Sequence, residues 1–182
     1  MKREKVKKIS IRTAKECAYI AVFVALVIAA QLVLAALPGI EVVTVLFISY
    51  SFVFGACRGG IAAVAFAFLR QLVFPFSETV LILYLVYFPL LGGLFGVLGH
   101  WVKKPLFSLW WLLPIAVACT AAFNLFDGWF TPLWYGMQGE AARAYFISSL
   151  PFMLPQLACT AVSMLFLFVP LQRAFRLIKK GL

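Results

Sequence analysis

The sequence predicts an all-α integral membrane protein with six transmembrane helices and both termini in the cytoplasm. Three observations carry this prediction. Hydrophobic residues make up 65% of the 182 residues, and the mean hydropathy is +1.04. The apolar residues fall in stretches near the ~20 residues that cross a ~30 Å bilayer core as a helix. The breaks between these stretches alternate between basic and acidic.

The elements follow in order. Residues 1–16 form a basic arm with Lys2, Arg3, Lys5, Lys7 and Lys8. Span 1 covers 17–37 and stops at Pro38-Gly39, a pair that breaks helices. Span 2 covers 42–56 and is followed by Cys57-Arg58-Gly59-Gly60. Span 3 covers 61–74, carries Arg70 and Gln71 near its end, and stops at Pro75. Span 4 covers 79–102 and ends at Lys103-Lys104-Pro105. Span 5 covers 106–126, and a loop over 127–143 follows. Span 6 covers 144–169, and 170–182 is a basic tail with Arg173, Arg176, Lys179 and Lys180. The whole of 1–182 reads as one membrane domain. The first apolar stretch is too long for the core of a signal peptide, so it reads as a retained span.

Lysine and arginine concentrate on the cytoplasmic side of membrane proteins. The arm, Arg58, Lys103, Lys104 and the tail define that side here. Glu41, Glu78, Asp127 and Glu140 occupy the opposite breaks, with Arg143 as the one clear base among them. An even number of spans satisfies both ends. The net charge of +10 is therefore read as anchoring to anionic lipid, not as a nucleic-acid surface. Cys17, Cys57, Cys119 and Cys159 form no CxxC pair and read as small buried hydrophobes. His100 is the only histidine, which excludes a histidine metal cluster. No GxSxG, HExxH, paired carboxylates or Walker-type loop is present. The chain is expected to be no enzyme, to hold no cofactor, and to hydrolyse no ATP by itself.

Chemistry-bearing residues gather at the outer mouth. Arg70 is the one charge well inside a span, where charge costs ~3 kcal/mol on insertion scales. It either snorkels or pairs with Glu78 or Glu41, or it anchors a carboxylate or phosphate through its bidentate fork. Glu41 and Glu78 stand at helix starts, where the dipole favours them; the alternative is bonding to ligand amines or hydroxyls. Tyr84 and Tyr87 share a face of span 4, and Asn124 and Asp127 share one at the end of span 5. Trp129, Trp134 and Tyr135 concentrate in the outer loop over 127–143. Mixed aromatic and polar groups are what a small-molecule pocket needs, although aromatic residues also form interface belts. Gln156 in span 6 is expected to face the bundle interior.

Two stripes of small residues stand out. Ala14, Ala18, Ala21, Ala25, Ala29 and Ala36 fall within about 80° of arc at ~100° per residue. They serve either internal packing or docking of a partner helix. Gly92, Gly96 and Gly99 on span 4 read as internal close packing.

These features together resemble the S components of energy-coupling factor transporters. The resemblance rests on the A-xxx-A pattern Ala21…Ala25 and on six spans in this length. Further support comes from the run Leu37-Pro-Gly-Ile-Glu-Val-Val-Thr44 leading into 49–55 and Arg58-Gly59-Gly60. The late segment Tyr145-Phe-Ile-Ser-Ser-Leu-Pro-Phe152, ending in Val169-Pro-Leu171, adds to it. The resemblance implies an S-component-like bundle in a bacterial plasma membrane. It implies a subunit that captures a vitamin or similar micronutrient from outside. Its partners would be a membrane-embedded coupling subunit and two cytoplasmic ATPases, and ATP hydrolysis would drive the S component to topple. In that family the first-span alanines face the coupling subunit, a role falling on Ala18, Ala21, Ala25 and Ala29. The pocket is built from the outward loops and outer halves of spans 4 to 6. This sequence departs from some family members in lacking a pocket histidine and in reading Pro151-Phe-Met-Leu-Pro155. The competing reading is a non-enzymatic scaffold of the cell envelope. The sign of the ligand's charge stays open, because Arg70 suits an acid while Glu41, Glu78 and Asp127 suit a base.

Overall fold

A computed structural model describes residues 14–37, 40, 42–102 and 105–180. Six helices follow one another: α1 Ala14–Leu34, α2 Val43–Phe54, α3 Ala56–Val73, α4 Glu78–Trp101, α5 Pro105–Trp134 and α6 Glu140–Lys180. Among the described residues there is no strand. Five of the helices are long and apolar enough to cross a membrane. The bundle's outer surface is apolar as well: Leu72 is 82% exposed and Trp110 81%. Such a surface calls for hydrocarbon around it, which marks a membrane protein.

The exception is α2. Its 12 residues span about 18 Å at ~1.5 Å per residue, less than the bilayer core. Every one of them is buried. The expected second span is thus a short central post, with α1, α3, α4 and α6 packed around it. Phe47 is fully buried and meets the rings of Phe23, Phe66 and Phe88. Helices in lipid gain little from apolar burial and associate through close packing. The α2–α4 seam shows how. Ser51 of α2 lies against Gly59 of α3 and Gly92 of α4, while Gly96 and Gly99 abut the backbone of Ala56 and Phe52.

Gly55 reverses the chain between α2 and α3 alone, at φ 92°, a conformation that suits glycine. Cys57-Arg58-Gly59-Gly60 is therefore the start of α3 and not the expected loop. The last carbonyls of α2 are taken up by bases. Arg58 Nη1 donates to Phe54 O at 3.3 Å, and Lys179 Nζ donates to Val53 O. Cations at a helix C-terminus also meet the negative end of its dipole. Arg58 Nη2 pairs with Glu16 Oε1 at 2.6 Å. The start of α1, the start of α3 and the end of α6 thus meet at one end of the bundle. Arg58→Ala strands a partly buried carboxylate and is expected to cost about 2 kcal/mol. Thermal unfolding in detergent measures this, and Glu16→Gln on the Arg58→Ala background should recover part of the loss.

The largest correction concerns the expected loop over 127–143. α5 continues through Trp134, and only 135–139 turn before α6. Gly136 at φ 65° closes α5, with Met137 N donating to Pro132 O at 2.9 Å and Gly136 N to Leu133 O at 3.2 Å. This is a left-handed glycine cap of the Schellman kind. Trp129 and Trp134 are accordingly helical, and only Tyr135 lies in the turn. The tail expected over 170–182 continues α6 through Lys180. Cys17 and Cys57 are exposed and none of the four cysteines is in a disulfide, so those two are not the buried hydrophobes expected. Gln156 is half-buried, whereas Gln172 of the same helix is wholly buried.

Candidate ligand-binding site

The far end of the bundle from the Glu16–Arg58 pair holds a second charge. Phe66, Arg70 and Phe74 follow at intervals of four residues, so they form one column on α3 and its cap. Phe74 ends α3 as its cap residue in extended conformation. The Arg70 guanidinium carbon sits 4.6 Å from the Phe74 ring centroid and 5.3 Å from that of Tyr84 on α4. Tyr84 stacks on Phe66 at 5.7 Å. Two aromatic faces on a guanidinium supply cation–π attraction where water is scarce.

Other helices complete the cluster. Gln31 of α1 donates through Nε2 to the Tyr84 hydroxyl at 3.1 Å. Phe123 of α5 lies 4.5 Å from the Tyr87 ring and 6.1 Å from Tyr84. The post α2 stands beneath. Phe47 of α2 meets Phe66 of α3 at 5.3 Å. Side chains of α1, α3, α4 and α5 converge in the cluster.

The cluster's electrostatics rest on Arg70. Its Nε and Nη1 are buried and have no hydrogen-bond partner, and Gln31 Oε1 is in the same condition. Among the described residues no carboxylate pairs with Arg70. Glu78 is exposed in the first turn of α4. At ~100° per residue it lies about 120° from Tyr84 and about 180° from Tyr87. It therefore holds the helix-start role. Ser77 next to it caps α4, and Gln71 binds the Ser77 backbone at both N and O. Glu41 lies outside the described residues.

The sequence-predicted pocket is thus divided. Arg70, Tyr84 and Tyr87 come together, and Asn124 follows Phe123, its amide donating to Thr120 O at 2.8 Å. Asp127 turns to its own helix, accepting from Thr131 Oγ1 at 2.7 Å. Trp129 lines a separate cavity of ≈ 410 Å³ with Gly128, Pro132, Ala142, Arg143 and Phe146. Gly128 lets Phe146 of α6 approach there. Trp134 and Tyr135 are exposed at the hairpin tip and do not line it. This cavity is walled by the α5–α6 hairpin alone and is nearly all apolar.

Gln31, Phe74 and Phe123 were missed by sequence reasoning. Gln31 carried a usable signal, since it is an amide in an otherwise apolar stretch. The two phenylalanines carried none, because the chain has 19 of them.

The alanine stripe also finds its place. Ala14, Ala18, Ala21, Ala25, Ala29 and Ala36 are all exposed, while α1 buries Ile20, Phe23, Val24 and Val27. The alanine face is therefore not the internal packing face. The glycine stripe of α4 is internal, as expected. Comparison with protein-family models, curated proteins and solved structures finds no match to this chain.

Proposed function

We propose that this chain is the substrate-binding membrane subunit of an energy-coupling factor importer. In this reading it takes a vitamin or related micronutrient from outside and delivers it by toppling against a coupling subunit driven by two ATPases. The observation that carries the reading is the cluster of Gln31, Arg70, Tyr84, Tyr87 and Phe123. It sets hydrogen-bonding groups and stacking rings into one end of an otherwise apolar bundle. Convergent polar groups among aromatic walls are the makings of a small-molecule site. Both chain ends then lie inside, the site opens outward, and α2 with its connecting segments supplies the sixth crossing. The chain binds and carries; it catalyses nothing.

The exterior alanine face supports the same reading, since small side chains let a second helix come close. Two measurements test it. Small molecules released by denaturing the detergent-purified chain are analysed by mass spectrometry, and a stoichiometric micronutrient is expected. Ala21→Leu with Ala25→Leu is expected to cut recovery of the coupling subunit at least tenfold in a pull-down, with thermal stability unchanged because both sites are exposed. No retained compound together with unchanged recovery would sink the importer reading and leave an envelope scaffold.

A further inference from the structure

We infer that the Arg70 cluster is a receptor for an anionic group, a carboxylate or phosphate carried on a flat ring. The inference rests on the binding-subunit reading and decides the sign of charge the sequence leaves open.

Three observations carry it. Arg70 holds buried donors at Nε and Nη1 with no acceptor. A guanidinium with unmade hydrogen bonds is costly in a low-dielectric bundle, and an anionic oxygen that accepts from either donor lowers that cost. The acids that competed for the site stand elsewhere among the described residues: Asp127 is held by Thr131, and Glu78 is exposed on another face of α4. The flanking groups match a ring attached to the acid. Phe74 and Tyr84 already stack on a planar cation, and Tyr87 with Phe123 extends the aromatic wall.

The test uses the full chain in detergent and its thiols as a probe of thermal unfolding. Inorganic phosphate, benzoate and phenyl phosphate are compared with neutral benzamide, each up to tens of millimolar. Benzoate and phenyl phosphate are expected to raise the midpoint by roughly 3 °C at tenfold excess over their dissociation constants. Benzamide is expected to do less than half as much. Inorganic phosphate separates a bare anion site, where it matches phenyl phosphate, from the ring-bearing acid proposed, where it falls short. Arg70→Gln should abolish the response to the acids, and Arg70→Lys should keep part of it. Ligand-free Arg70→Gln is expected to melt close to wild type, because losing the cation–π attraction to Phe74 and Tyr84 is offset by removing a charge with unmet donors. A lower midpoint would make Arg70 a structural residue and overturn the proposal. Equal responses to benzamide and benzoate, or full responses in Arg70→Gln, would also overturn it while leaving a binding site. No response to any probe would overturn this inference, and the binding reading would then stand or fall on the compound retained by the purified chain.

Discussion

Gly96→Ala and Gly99→Ala are each expected to destabilise the bundle severely, whereas Gly93→Ala, from the same helix, is expected to be harmless. A Cβ on Gly96 would fall under 3.0 Å from Ala56 N, and one on Gly99 equally close to Phe52 O. Both obstacles are backbone, so no side chain can swing aside. Relief requires α4 to move off the α2–α3 turn, which opens the seam that Ser51, Gly59 and Gly92 close. Overpacking of a core costs about 1–3 kcal/mol, and a rigid backbone obstacle puts these variants at or above the top of that range. Gly93 has nothing within 4 Å of its would-be Cβ. Alanine there gains up to ~1 kcal/mol from helix propensity. The measurement is the detergent unfolding midpoint read by thiol labelling of Cys119 and Cys159, both half-buried and outside any disulfide. Equal midpoints for Gly93→Ala and Gly96→Ala would mean that the α2–α4 seam is not as close as described.

Tyr84→Ala is expected to remove most small-molecule binding. Its ring stacks on Phe66, faces Arg70, and stands edge-on to Phe88 at 5.0 Å. Its hydroxyl accepts from Gln31. Truncation frees the guanidinium from one of its two rings and unties α1 from α4. A loss of at least tenfold in retained compound is expected, which is about 1.4 kcal/mol or more. Tyr84→Phe separates the contributions. It keeps every ring contact and gives up the Gln31 bond, so a two- to fivefold loss is expected, within the ~1 kcal/mol of one hydrogen bond. Full retention by Tyr84→Ala, with the protein still folded, would move the site elsewhere, and the hairpin cavity around Trp129 would be the next place to look.

The hairpin shows why part of the site was hidden in the sequence. Asp127, Gly128 and Pro132 look like breakers in a row, and they set the expected end of span 5. In the folded chain Thr131 satisfies Asp127, Phe146 packs on Gly128, and the helix carries Pro132 within it, the proline carbonyl accepting from Met137 N. The stop signal was Gly136, whose left-handed cap ends α5 eight residues after the expected boundary at 126. Once the loop shrank to 135–139, the indoles expected to share a pocket were spread along a helix. Arg70 was legible for another reason. A charge inside an apolar span needs an account wherever it occurs. Its ring partners come from α3's own cap and from α4, and nothing local in the sequence announces them.

Hydropathy, segment length and the distribution of lysine and arginine determined by themselves that this chain is a helical membrane protein with its small residues in stripes. Those properties depend on transfer from water and on residue spacing, which any sequence displays. Tertiary structure alone decided which stripe faces inward, that α2 is a short, wholly buried post, and which aromatics surround Arg70. These depend on helix rotation and on how closely backbones approach, and both are set by side chains far apart in sequence meeting in space.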